Sequence, residues 1–123
     1  MTFKGTFTTK EEIKFKAGKD YPSISNEDDR LTELTKQAEA RINNTVRYNF
    51  TEVYDQLNEN TKQTLNEAAS NLVAQYIIIH DLSSYQSRVQ AENMLQVLRT
   101  NYQDCIKILE DQKTTTYFRR TKN

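Results

Sequence analysis

Near its C-terminus the chain repeats apolar residues at intervals of three and four: Ala91, Met94, Leu95, Leu98, Tyr102, Cys105, Ile106 and Leu109. That spacing keeps all of them on one face of an α-helix, whereas a strand would split them between two faces. The segment therefore predicts a helix of more than five turns, opening at Ser83 or Ser84 and closing near Gln112. A stripe that long must be covered, so the rest of the chain has to supply partners of similar length. Two further segments can. Leu31, Leu34, Ala38, Ile42 and Val46 form one stripe, behind Ser25 or Asn26 and the acidic Glu27, Asp28 and Asp29, which suit a first helical turn. Leu65, Ala69, Leu72, Tyr76 and Ile79 form the other, with Asn60 as the expected cap and Gln63 as its reciprocal partner.

This second helix carries an additional apolar line, Ala74, Ile78 and Leu82. A helix apolar on two faces lies in the middle of something, either between its neighbours or against another subunit. The second possibility makes Ala74, Ile78 and Leu82 candidate subunit-interface residues, together with Phe3 and Phe7. Two glycines and one proline in 123 residues favour long regular elements over loops, and a chain of this length forms a single domain. A short helical turn is expected over 51–57, with Val53, Tyr54 and Leu57 inward.

The N-terminal residues follow a different rhythm. Phe3 and Phe7 flank Gly5, and Ile13, Phe15 and Ala17 alternate with charged residues. Period two is the strand signature. It predicts a β-hairpin with strands near 2–8 and 12–17, then a linker over 18–25 in which Pro22 extends Tyr21. The expected fold is mainly α: a three- to four-helix bundle over 21–112, preceded by the hairpin in 1–20 and followed by an extended basic arm over 113–123.

Charge divides the chain the same way. The net formal charge is zero, yet residues 1–20 carry +2, residues 21–112 carry −6 and residues 113–123 carry +4. An acidic body argues against a dedicated nucleic-acid domain, which usually bears a basic folded face. It suits basic ends that dock on acidic neighbours. In the terminal stretch "KTTTYFRRTKN", Lys113, Tyr117, Phe118, Arg119 and Arg120 are the candidate partner-binding residues. Aromatic anchors and guanidinium groups are what an arm needs to join a groove or sheet edge. The arm is expected to be free of the body, so that its deletion leaves the melting behaviour nearly unchanged.

Chemistry-bearing motifs are scarce. With Gly5 and Gly18 the only glycines, phosphate-binding and dinucleotide loops are excluded. One histidine, His80, and one cysteine, Cys105, make neither a zinc set nor a disulfide framework. No catalytic, cofactor-binding or metal-ligating residue is assigned, and no enzyme is expected. The start "MTFKG" has no apolar stretch behind it, and the longest apolar run, Tyr76 to Ile79, is far short of a membrane span. Synthesis and assembly in the cytoplasm are expected.

Three segments carry a resemblance: "EDDRLTELTKQAEARINNTVRYNF", "LNEAASNLVAQYIIIHD" and "QAENMLQVLRTNYQDCIKILEDQK". Ala38, Ile42, Arg47 and Tyr48 in the first, Leu65, Ala68, Leu72 and Tyr76 in the second, and Ala91 and Leu95 in the third resemble the helices of head–tail connector adaptors of tailed bacteriophages. The likeness covers about residues 27–113 and leaves the N-terminal hairpin outside it. It implies a structural virion protein that forms a homo-oligomeric ring of twelve under the portal and sends its C-terminal arm into the portal. The ring would contact a downstream tail protein and continue the DNA channel, with non-specific DNA contact there. The alternative is a small helical binding or regulatory module whose basic tail meets nucleic acid or an acidic protein.

Overall fold

The computed structural model describes residues 2–81, 85, 87–112 and 118. It is mainly helical: α1 Lys10–Ala17, α2 Glu27–Val46, α3 Glu59–His80 and α4 Arg88–Gln112, with a 3-10 turn at Tyr54–Gln56. α3 is central and packs against each of the other three helices.

The stripe of α4 is buried at Ala91, Leu98, Tyr102, Cys105, Ile106 and Leu109, while Met94 and Leu95 are only half-buried. Leu31, Leu34, Ala38, Ile42 and Val46 of α2 are all buried. In α3 the stripe runs through Leu65, Ala68, Ala69, Leu72, Val73 and Ile77; Tyr76 is half-buried and Ile79 is 56% exposed. The second apolar line of α3 meets this chain's own helices. Ala74 and Ile78, both at 0% exposure, cluster with Ala17 of α1, Ala91 and Leu98 of α4, and Tyr85. Ala74 and Ile78 are therefore interior residues of this subunit. The clustering of late α3 with early α4 also sets these two helices antiparallel.

The expected hairpin is not formed: no strand occurs among the described residues, and residues 10–17 are helical. Ile13 and Ala17 are four apart, so a helix buries both, and both are at 0% exposure while Phe15 points outward. Over six residues that spacing satisfies either period, and the ends decide. The Thr9 hydroxyl accepts from the Glu12 N–H, and Glu11 and Glu12 occupy the first turn. Lys14 and Lys16 occupy the last turn, and Gly18 closes the helix at φ +88°, where a side chain would be strained. The Thr9-x-x-Glu12 spacing is a helix-start signal, and it outranks the alternation.

Residues 2–8 lie along α2, and side chains of α2 replace a sheet ladder. The Lys4 N–H donates to Thr32 Oγ1 at 3.0 Å, and the N–H groups of Thr6 and Phe7 both donate to Glu39 Oε2, at 2.7 and 2.8 Å. Phe7 is buried and stacks on Tyr54 at 5.9 Å; Phe3 is half-buried against the same core.

Helix starts also differ from expectation. Asn58 rather than Asn60 caps α3, its side chain accepting from the Thr61 N–H at 2.7 Å, and Gln63 bonds Glu59. α4 begins at Arg88, with Ser87 Oγ accepting from the Gln90 N–H at 3.0 Å, later than Ser83 or Ser84. Asn26 precedes α2 without a side-chain cap. The acidic residues there act across the interface to α1: Lys10 Nζ lies 2.8 Å from Asp28 and Lys14 Nζ 3.2 Å from Glu27, which also accepts from the Tyr21 hydroxyl.

Candidate assembly surface

Two features face outward or close an end of the bundle, and both are apolar. The first is the seat of Phe118. At the end of α2, Arg47 adopts a left-handed conformation (φ 63°), and the Tyr48 N–H returns to the Asn43 carbonyl at 3.1 Å. That reversal sends the chain back across the helix end. The Asn43 side chain then holds the loop, its Oδ1 accepting from the Phe50 N–H and its Nδ2 donating to Thr51. Tyr48 and Phe50 stand 4.7 Å apart as a result. The Phe118 ring sits on both, edge-on, at 5.1 Å from Tyr48 and 5.0 Å from Phe50. The Asn58 N–H donates to the Phe118 carbonyl at 2.8 Å. Ring and backbone are thus both held, and Phe118 is 2% exposed.

This corrects the expectation of a C-terminal arm free of the body: its central aromatic belongs to the core. Lys113, Tyr117, Arg119 and Arg120 lie outside the described residues, as does Leu82. The amino-acid pattern offered one signal for the seat. Tyr48 and Phe50, bracketing an exposed asparagine just past the stripe of α2, are more aromatic surface than a helix end needs.

The second feature is a set of uncovered apolar side chains. Phe15 on α1 is 79% exposed, and on α4 Val89 and Val97 are 66% and 58% exposed. Between α1 and α4 a shallow, mostly apolar depression is lined by Lys16, Asn93, Met94, Val97 and Leu98. Phe15 stands two residues from Ile13 and from Ala17, and so faces away from the core that those two enter.

Several polar and titratable groups are committed to contacts within the bundle. An open cleft of about 810 Å³ lies between residues 2–11 and α2, with Lys10, Lys36 and Glu39 on its walls. Burial raises the carboxyl of Glu39 above its ordinary range, against the opposing pull of the Phe7 and Thr6 N–H groups. Its Oε2 is already occupied by those two donors, so it serves as a clamp on the N-terminal segment. Lys10 is held above its usual range by its hydrogen bond to Asp28. Burial pushes the Cys105 thiol up to about 12, which keeps it protonated and unreactive. Tyr85 donates to the Ala17 carbonyl at 2.9 Å, and burial pushes its phenol up to about 12. His80 is exposed at the end of α3. Among the described residues no group of three or more His, Cys, Asp or Glu side chains could hold a metal ion, and no helix is long and apolar enough to cross a membrane. No family model matches the chain, and neither a curated protein nor a solved structure matches it significantly.

Proposed function

We propose that this chain is a structural assembly subunit, a head–tail connector adaptor that forms a ring between the portal and the tail of a bacteriophage particle and continues the DNA channel. The observation that carries the assembly reading is Phe15, a large aromatic left 79% exposed on the outer face of α1, with Val89 and Val97 bare on α4. Scattered apolar residues are ordinary on a surface, but a phenylalanine turned fully outward costs solvation that a neighbouring copy would recover. Support for the adaptor assignment comes from the three resembling segments, which are consecutive helices, α2, α3 and α4, around one core.

Two parts of the reading take a different form from the one the sequence suggested. Ala74 and Ile78 are inside the subunit, so the ring contact belongs to the α1 and α4 surface. Phe118 is seated on the body, so it anchors the terminal segment, and Lys113, Tyr117, Arg119 and Arg120 are the residues that meet the portal. Their positive charge suits carboxylates there, and basic residues facing the channel would meet DNA phosphates.

Multi-angle light scattering of the purified chain, alone and with a candidate portal protein, tests this. A ring-sized mass in either sample is expected, and Phe15→Ser should lower it without loss of helix content. A monomer at every concentration, with and without the portal, would overturn the reading and leave the small binding module as the alternative.

A further inference from the structure

The uncovered apolar surface has a raised part and a hollow part. The raised part is Phe15, 79% exposed on α1, with Glu11 and Glu12 four and three residues before it. Residues at that spacing are neighbours on a helix surface, so the two carboxylates flank the ring. Neither makes an ion pair among the described residues, whereas the adjacent Lys14 is held by Glu27 at 3.2 Å. The hollow part is the depression between α1 and α4, about 300 Å³, lined by Lys16, Asn93, Met94, Val97 and Leu98. Its lining has one ammonium and no carboxylate, and Lys16 makes no ion pair among the described residues either. We infer that Phe15 of one copy seats in the depression of a second copy, with Glu11 and Glu12 beside the Lys16 of that second copy. This pairing rests on the chain assembling with itself, and is independent of what the assembly joins.

The depression sets the chemistry of what fills it. Met94, Val97 and Leu98 offer apolar surface, and a methionine sulfur favours an aromatic ring. Lys16 on the wall favours a carboxylate beside that ring. An aromatic with carboxylates one helical turn away is what the outer face of α1 presents. One copy cannot join the two parts by itself. Phe15 and Lys16 are successive residues of α1, about 100° apart around the helix, so an α1 that turns Lys16 to α4 turns Phe15 to solvent. α1 is fixed in that orientation by Ile13 and Ala17, both at 0% exposure, and by the ion pairs of Lys10 and Lys14 with α2. The ring must therefore come from another molecule. A phenylalanine carries roughly 150–250 Å², so Phe15 brings about a fifth of the roughly 800 Å² that each partner gives to a standard interface. It acts as the anchor, and Val97 and Ile108, eleven residues apart on one side of α4, extend the apolar surface around it. Because the raised and hollow parts differ, the contact can repeat head to tail from copy to copy, as a ring requires.

The charges at the contact allow a test on the unaltered full chain. Isotopically heavy and light forms are unfolded together in equal amounts, refolded, and sized by light scattering alone and with the candidate portal. A carbodiimide then joins carboxylates to amines in direct contact, and the products are digested. A bond within one copy, which the four-residue spacing of Glu12 and Lys16 permits, is always same-isotope, whereas a bond between copies is mixed about half the time. Mixed-isotope bonds from Lys16 to Glu11 or Glu12 are expected. An oligomer that gives none overturns this pairing and leaves the assembly reading intact. A monomer in both samples overturns both, and leaves the depression to a partner other than this chain. As an independent check, Phe15→Ser, which keeps the depression, is mixed with Val97→Asp, which keeps the ring. Both positions are exposed, so helix content by circular dichroism should be unchanged. Each variant alone should self-associate about tenfold more weakly or worse, and the mixture should regain complexes of two chains. A mixture with no more complex than the separate variants counts against the pairing.

Discussion

Replacing Phe118 with alanine tests whether the C-terminal segment is part of the fold. A phenylalanine carries roughly 150–250 Å² of surface, and Phe118 keeps only 2% of its own exposed. Truncating a buried phenylalanine to alanine costs about 3–5 kcal/mol where the surroundings cannot relax. The ring also makes edge contacts with Tyr48 and Phe50 at 5.1 and 5.0 Å, each worth about 0.5–1.5 kcal/mol. Against this, Phe118 lies beyond the last helix, and a chain that lets the segment go recovers about 1–2 kcal/mol of ordering entropy per residue. With the ordering entropy of Phe118 alone set against these terms, the net loss is about 2–7 kcal/mol. Urea denaturation followed by circular dichroism should show the midpoint falling at nearly unchanged slope. Ending the chain after Gln112 should cost a similar amount, since it uncovers the same faces of Tyr48 and Phe50. A loss below about 1 kcal/mol for both variants would refute the reasoning.

Glu39→Ala should cost about 1–3 kcal/mol, because the N–H groups of Thr6 and Phe7 lose their acceptor, whereas Glu39→Gln, which keeps an oxygen there, should cost under about 1. The carboxyl of Glu39 is raised above its ordinary 4.5 in the fold. Its stabilising contribution is then complete below that value and is lost as pH rises through the folded value, a dependence that Glu39→Gln should remove from a urea titration against pH. Leu98→Ala should cost about 2–5 kcal/mol and Leu95→Ala clearly less, since Leu98 is 5% exposed and Leu95 only half-buried; equal losses in thermal melts would contradict that packing. Asn58→Ala should cost about 1 kcal/mol through loss of the cap on α3, measured by the same denaturation. Arg47→Gly should stabilise by a few tenths to about 1 kcal/mol, because glycine relieves the left-handed backbone at the end of α2; a lower melting temperature would argue against strain there.

What the amino-acid order determined alone is the part of the fold governed by neighbours three and four residues apart. The stripes of α2, α3 and α4 are legible because a helix repeats its faces over many turns, and long repetition leaves one period standing. Leu31, Leu34, Ala38, Ile42 and Val46 all proved interior, and the end of α4 at Gln112 was readable from the last residue of its stripe. Short segments lack that redundancy. Ile13, Phe15 and Ala17 fit a strand and a helix equally, and only the cap at Thr9 and the packing of Ile13 and Ala17 choose the helix. The start of α3 shifts by two residues because Asn58 and Asn60 are chemically identical caps, and only the backbone geometry selects between them. The remaining decisions belong to tertiary structure, since they depend on residues far apart in the chain. Ala74 and Ile78 needed a cover, and whether α1 and α4 or a second subunit supplied it could not be read from α3. Phe7 is bound through Glu39, thirty-two residues away, and Phe118 through Asn58, sixty away. No local pattern records such a pairing, because the free energy of burying a ring depends on which surface the folded chain brings to it.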